Sequence, residues 1–416
     1  MRSKFKNNIV LIKFLSSNIF SSIIGIFTGF FTYRYIEPSQ LGIWGVFAII
    51  EVYFSFTRFG IINGLGRELP FYLGQDNQEK SNSIAQTALS YSLWSNLILI
   101  IVIPLVLKIN NINLSNLYYG FSLIVVMLRL VLNSYSSYLS VTFRTNSNFN
   151  DLSNLTFFQS GIKIFSLFFV YKFGFWGLLI REFLLSLTET SLLHYKRPLK
   201  ITPKFNSKLF IELFKVGFPL FIVSYLSGIV DTFPRLYILK YGTTEQLGLF
   251  SPIIVVLGLS IILPNAISSY MYPKMAFSYG STSNGLQLWG IIKKTALLSI
   301  LTSIPISISV YFGADLIGLF FPKYIDSVFY LKLSSISMLF VGFKAGSISF
   351  SVMKNWAMMF LDVILFFFFS CIGLLVFNYF YSDVLLVASL SLILTNVTMF
   401  FATLVLSYIT THKKSE

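Results

Sequence analysis

Long apolar runs alternate with short polar breaks along the whole chain. A helix that crosses a bilayer needs about 20 mostly apolar residues. On that rule the pattern predicts about twelve spans, at roughly 9–32, 41–59, 84–107, 117–140, 153–171, 173–193, 214–234, 246–270, 291–312, 328–350, 357–378 and 384–408. The fifth and sixth nearly fuse, because Lys172, Phe173 and Gly174 leave room for only a tight turn. The first run follows a basic lead like that of a signal peptide. It continues to about Phe31 with no small-residue cleavage site after it, and so reads as an uncleaved helix.

The break at Glu37-Pro38-Ser39-Gln40 introduces a pattern that returns about 206 residues later. Gln40–Trp44 (QLGIW) becomes Gln246–Phe250 (QLGLF), and Leu69–Gly74 (LPFYLG) becomes Met275–Gly280 (MAFSYG). Thr87–Leu89 recurs as Thr295–Leu297, and Tyr33–Ile36 is echoed by Arg235–Ile238. Matches in one order over a whole segment indicate a duplicated half. Both copies run in the same sense. The predicted fold is therefore all-α and integral to the membrane, with two six-helix lobes related by a parallel internal repeat, a standard transporter plan. The N-terminal lobe is expected over 1–193 and the C-terminal lobe over 215–416. A basic cytoplasmic linker with Pro198 and Pro203, at 194–214, joins them.

Composition agrees. Hydrophobic residues make up 55% of the 416 and charged residues 11%, with mean hydropathy +0.75, whereas a soluble domain carries about a quarter charged residues. In a soluble protein a net charge of +15 would point to nucleic acid. Here the excess lies in loops and reads as a signal of orientation instead. With the N-terminus inside, the external turns hold only Arg34, Lys108, Lys172, Arg235, Lys240 and Lys323, and the other loop cations are cytoplasmic. Both termini are thus expected in the cytoplasm. Cys371 has no second cysteine to pair with, and His194 and His412 stand apart from any ligand set. No metal, nucleotide or catalytic motif is present, so no cofactor is expected.

Charges within the apolar runs are the candidate chemistry, since each costs a few kcal/mol at the bilayer centre unless it pairs or lines a cavity. Arg129, Lys163 and Arg181 lie deep, and Glu51 sits midway along its run. Three cations at that depth suit a cargo with a strongly anionic head, and arginine can grip phosphate oxygens through two parallel hydrogen bonds. Arg181 and Glu182 are equally open to a packing ion pair with Arg129 or Lys163. Glu51, Glu182, Asp231 and Asp362 are the carboxylates that could carry a coupling ion. Asp231 is also placed to pair with Arg235 four residues on, and Asp362 with Lys344. Lys13, Lys332 and Glu189 are expected to reach toward an interface. Trp44, Tyr118, Tyr119, Trp176, Trp289 and Trp356 fit interfacial aromatic belts.

Three motifs carry a family resemblance: E-P-x-x-L-G-I-W at Glu37–Trp44, F-G-I-x-x-G-x-x-R-E-L-P at Phe59–Pro70, and D-T-F-P-R at Asp231–Arg235. The chain resembles the polysaccharide-biosynthesis branch of the multidrug, oligosaccharidyl-lipid and polysaccharide exporters. Within that branch it looks most like the Wzx-type O-antigen flippases. The resemblance implies transport of an undecaprenyl-diphosphate-linked oligosaccharide across the bacterial inner membrane by alternating access, in lipopolysaccharide O-antigen or related polysaccharide biosynthesis. Proton or sodium counterflow is one candidate drive. Membrane lipids are implied partners, and a polymerase and chain-length regulator of the same pathway are candidate ones; nucleic acid is not. Two other readings stay open. A drug or cation antiporter of the same superfamily would favour an acidic, aromatic cavity, and a membrane polymerase or ligase would need a substantial external loop.

Overall fold

A computed structural model of the protein describes residues 2–109, 116–146, 148–282, 285–341, 345–353 and 355–412. Among the described residues there is no strand, and helices carry almost the whole chain. Among the described residues seven helical stretches are long and apolar enough, by length and composition, to cross a membrane. In chain order the first helices are α1 (Arg2–Tyr35), α2 (Pro38–Phe54), α3 (Ile61–Gly74), α4 (Gln78–Ile109), α5 (Leu117–Thr145), α6 (Phe149–Phe165), α7 (Leu167–Phe173), α8 (Phe175–Tyr195) and α9 (Ser207–Val230). α8 stands outside those seven because it carries Arg181, Glu182 and Glu189.

The first compact unit consists of Met1–Ile36 and Ile43–Tyr225. Its chain reverses where sequence demands it. After α2 a 3-10 turn (Ser55–Arg58) leads into two left-handed residues, Phe59 (φ 44°) and Gly60 (φ 73°). Gly60 is required twice over, because a Cβ there would lie 2.6 Å from the Gly217 carbonyl oxygen. The turn between α7 and α8 is the single residue Gly174, at φ 55°. Ile61, Leu65 and Leu69 of α3 pack with Ile84, Ala88, Tyr138 and Leu139 into an apolar core that also takes in Leu213 and, partly buried, Leu199, Leu209, Phe210 and Phe214. Tyr72 donates to Glu212 (2.7 Å), and Lys80 bonds Tyr72 (2.6 Å) and pairs with Glu212 (3.1 Å). Those two contacts, Tyr72 first, hold the Lys80 ammonium above the ordinary lysine value.

This packing moves the boundary between units. The linker is expected at 194–214. Its second part is already helix α9, whose first half packs on the first unit, and the division falls between Tyr225 and Leu226. Glu37 and the start of α2, to Gly42, group with the second unit as well.

The second unit consists of Glu37–Gly42 and Leu226–Glu416. Its helices are α10 (Phe233–Tyr241), α11 (Thr244–Leu249), α12 (Ser251–Thr282), α13 (Gly285–Phe320), α14 (Ser327–Ser334), α15 (Met338–Val341), α16 (Ala345–Val352), α17 (Trp356–Phe380) and α18 (Val384–His412). Met271, Met275, Leu288, Ile292, Ala296 and Phe400 form its buried apolar cluster. The expected loop at about Gly313–Ser327 is mostly helix, since α13 runs on to Phe320. Asp315, within that stretch, pairs with Lys332 at 2.6 Å. The expected single span 328–350 is instead α14, a 3-10 turn, α15 and α16.

Within this unit Gly42 meets the backbone of Thr244, and Gly248 meets that of Pro38. Hypothetical Cβ atoms would come within 1.6 Å of the Thr244 oxygen and 1.7 Å of the Pro38 oxygen. The two QLG motifs thus cross at backbone contact, which only glycine permits.

Candidate functional site

The deep charges of the first unit converge from four helices. Arg129 reaches from α5, Arg181 and Glu182 from α8, Glu51 from the last turn of α2, and Thr28 from α1. Glu182 bridges the two arginines. Its Oε2 accepts from Arg129 Nη1 and its Oε1 from Arg181 Nη1, both at 2.7 Å. Arg129 Nη2 also faces Glu51 Oε2 at 3.6 Å, and Arg181 Nη2 donates to Thr28 Oγ1 at 3.0 Å. Asn133, one turn along α5, donates to Glu51 Oε1 at 2.8 Å.

Burial makes these bonds matter. Arg181 is 8% exposed, and the Arg129 and Glu182 side chains are 18% and 16% exposed. Away from water an unmatched charge is far costlier than a matched one, so Glu182 serves chiefly to make two arginines tolerable. The Nε atoms of Arg129 and Arg181 are buried without a hydrogen-bond partner. Trp44, expected in an interfacial belt, instead places its ring 5.3 Å from the Arg129 guanidinium. That arrangement adds a cation–π contact on the planar face of the group. Trp176 stacks on Tyr118 at 5.2 Å.

Lys163 is held differently. It lies in the last turn of α6, because the helix breaks at Ser166, and a cation is favoured at that end by the helix dipole. Its ammonium donates to Ser21 Oγ at 2.8 Å. Among the described residues no carboxylate lies within ion-pair distance of it. Helix-to-helix polar contacts hold this wall in place: Gln159 donates to the Leu185 carbonyl at 2.7 Å and Asn96 to the Val131 carbonyl at 3.1 Å. Such bonds, with small hydroxyl residues such as Ser134, Ser186 and Thr190 buried between helices, are the ordinary glue of membrane bundles.

These groups line a cavity of about 440 Å³ within the first unit, walled by Ser21, Arg129, Asn133, Gln159, Lys163, Glu182 and Glu189 among others. A neighbouring cavity of about 530 Å³ carries Arg58, Asn63, Arg144 and Tyr225. Both are lined by Ser140 and Glu189. Glu189, expected to reach toward an interface, is an exposed side chain that lines both cavities. Lys13, the other residue so expected in this unit, donates to Asn150 at 2.7 Å.

The second unit's charges do not join this group. Asp231 and Arg235 line a separate cavity of about 270 Å³ with Ser370, Thr395 and Asn396. Asp362 accepts from Ser347 and Thr403, each at 2.8 Å. Lys344, its expected partner, lies outside the described residues.

Sequence reading brought forward the cations but missed Asn133, Thr28, Ser21 and Gln159. Uncharged polar residues inside apolar runs were the available signal, since each needs a partner across a helix interface. No group of three or more potential metal ligands occurs among the described residues.

An all-helical chain of this kind matches solved membrane transporters. An inward-facing multidrug resistance transporter of the MATE family, in the MOP superfamily, superposes with a TM-score of 0.80 at 13% identity, over 95% of this chain and 96% of its own. The lipid II flippase MurJ in an inward closed conformation gives 0.67 at 16% identity, over 94% of this chain and 87% of its own. A MOP superfamily transporter from Pyrococcus furiosus, described as having a binding pocket of reverse polarity, gives 0.65 at 13% identity over 97% and 95%. No curated protein sequence matches the chain. The fold is shared with these multi-pass membrane transporters and flippases. A family model described as polysaccharide biosynthesis protein matches residues 33–321, and the chain belongs to that family.

Proposed function

We propose that this protein flips a polyprenyl-diphosphate-linked oligosaccharide, an O-antigen or related polysaccharide repeat unit, from the cytoplasmic to the outer leaflet of the bacterial inner membrane. The observation that carries the reading is Lys163. It is a cation in the wall of a polar cavity, held by a hydroxyl with no carboxylate at ion-pair distance among the described residues, in a chain of the polysaccharide biosynthesis family. A diphosphate is the kind of group that such a site attracts, because a low-dielectric wall strengthens its interaction with a fixed ammonium. Lys163 and Arg129 would meet the phosphates from two sides. Arg181 would act through Glu182, keeping Arg129 aimed at the cavity.

Alternating access between two six-helix lobes is the mechanism that goes with this fold class. The lipid tail stays in the bilayer throughout, and only the polar head has to be sheltered. Both termini lie in the cytoplasm on this reading, as the loop cations indicate. Glu51, Glu182, Asp231 and Asp362 remain candidates for ion coupling. A polymerase and a chain-length regulator acting on the delivered repeat unit are the natural partners.

The test is transport itself. Proteoliposomes holding the purified protein and a fluorescent polyprenyl-diphosphate oligosaccharide are treated with a membrane-impermeant quencher. Flipping makes the inner pool accessible over time, and Lys163→Met abolishes that phase. If a cationic dye is carried instead and the lipid-linked sugar is not, the protein is an antiporter of small cations.

A further inference from the structure

Glu189, exposed where Glu51 and Glu182 are partly buried, stands apart from those two carboxylates. Glu51 and Glu182 each face an arginine, whereas among the described residues Glu189 has no ion-pair or hydrogen-bond partner. Its position is unusual too, because it lines both cavities of the first unit. On one side of it lie Lys163 of α6 and Arg129 of α5, with Glu182 of its own helix. On the other lie Arg58 of the 3-10 turn, Arg144 of α5 and Tyr225 of α9. α1 offers only the uncharged Asn18 and Ser21, and α3 only Asn63. Glu189 is the charged residue, beside the hydroxyl of Ser140, that lines both cavities and so borders both groups of cations.

The local charge balance sharpens the point. Arg129, Lys163 and Arg181 are matched in number by Glu51, Glu182 and Glu189. With all six ionised the site carries no net positive charge, and an entering dianion gains little from it. Neutralising Glu51 or Glu182 would leave a buried arginine unmatched, which the low-dielectric interior penalises. Glu189 is the one whose neutralisation breaks no ion pair. A proton there removes the repulsion and leaves the site one unit positive.

We propose that Glu189 is a proton-linked gate: an anionic head enters or crosses between the two cavities together with a proton taken up by this carboxylate. This rests on the anionic-cargo reading above and adds to it the residue that ties cargo to protons. The chemistry is plain linkage. A group that must be protonated for the ligand to bind makes affinity fall with rising pH, by up to about tenfold per pH unit for a single proton.

The experiment uses the full chain in detergent and farnesyl diphosphate as the probe, measured by calorimetry at pH 6 and pH 8 in buffers of differing ionisation heat. The probe's own titration is common to every variant, so differences between variants report the protein. Glu189→Gln should bind at pH 8 about tenfold or more tightly than the unmodified protein, and should take up about one proton fewer per anion bound. Glu189→Asp should keep the pH dependence of the unmodified protein, which a merely structural role would not require. Equal proton uptake and equal pH profiles in Glu189→Gln and the unmodified protein overturn the gate while leaving the anion site standing. Lys163→Met should lose affinity at both pH values. If it binds as the unmodified protein does, or if the unmodified protein binds no probe at either pH, the anionic-cargo reading fails and the gate goes with it.

Discussion

Glu182 holds Arg129 and Arg181 on its two carboxylate oxygens, each at 2.7 Å. One acid thus fixes two cations that lie 52 positions apart in the chain, and it does so at 16% side-chain exposure. The arrangement divides labour among the deep charges. Some of them hold the helices together, and others are left free to act.

The first prediction follows directly. Glu182→Gln leaves two buried guanidinium groups facing a neutral amide, and breaking a buried pair costs about 3–5 kcal/mol. The expected result is a large fall in thermal stability in detergent, with less protein in the membrane. Arg181→Ala should behave alike, because Glu182 and Thr28 then both lose a donor. Arg181→Lys should fall between, since an ammonium cannot repeat the fork that bonds Glu182 and Thr28 together. A melting temperature unchanged in Glu182→Gln would contradict the division.

Lys163 should show the opposite behaviour. Among the described residues its side chain bonds only Ser21, so removing the ammonium breaks no ion pair. Lys163→Met should leave protein level and melting temperature near those of the unmodified chain. Surface polysaccharide in a host that depends on this protein should nevertheless be lost. Normal polysaccharide with Lys163→Met would remove the ammonium from the mechanism.

Much of this architecture was legible in the sequence, for a physical reason. Burying some 20 apolar residues in a bilayer dominates every other term, so the runs announce themselves. Register within the bundle is another matter. Whether Arg129 meets Glu182 or Lys163 depends on how α5, α6 and α8 rotate about their axes, which composition does not encode. The same rotation brought Trp44 to Arg129 and turned Glu189 into the cavities. Ends of helices misled as well. Gly313–Phe320 reads as loop but continues α13, and its Asp315, largely exposed, pairs with Lys332. Hydropathy counts a charge at full cost and cannot see its partner.

Sidedness is open to direct measurement. The basic residues of the loops predict that reporters fused after His194 and after His412 read as cytoplasmic, and one after Lys323 as external. The His194 fusion is the decisive one, since it samples the chain between α8 and α9. An external signal there would change the number of crossings in the first part of the chain, and with it the repeat.

The repeat itself makes the last prediction. Pro38 and Thr244 are 206 residues apart, and so are Gly42 and Gly248. Gly42 touches the Thr244 carbonyl and Gly248 the Pro38 carbonyl, so the two contacts exchange under the same offset, as a local twofold relation between equivalent segments requires. A methyl at either glycine would overlap backbone that has no rotamer to escape into. Overpacking of this kind costs about 1–3 kcal/mol, or more where nothing can shift. Gly42→Ala and Gly248→Ala should therefore destabilise by similar amounts, and the double variant by less than their sum, because the first substitution already separates the segments. Gly25 and Gly161 supply the control. Each lies inside a helix with nothing within 4 Å of its would-be Cβ, so alanine there should raise stability by about 0.5–1 kcal/mol through helix propensity alone. The check is the melting temperature of the four single variants in one detergent. If Gly42→Ala and Gly248→Ala melt with the Gly25 and Gly161 variants, the backbone crossing of the two QLG motifs is wrong. If only one of the pair is destabilised, the crossing is not reciprocal, and the duplication does not extend to this contact.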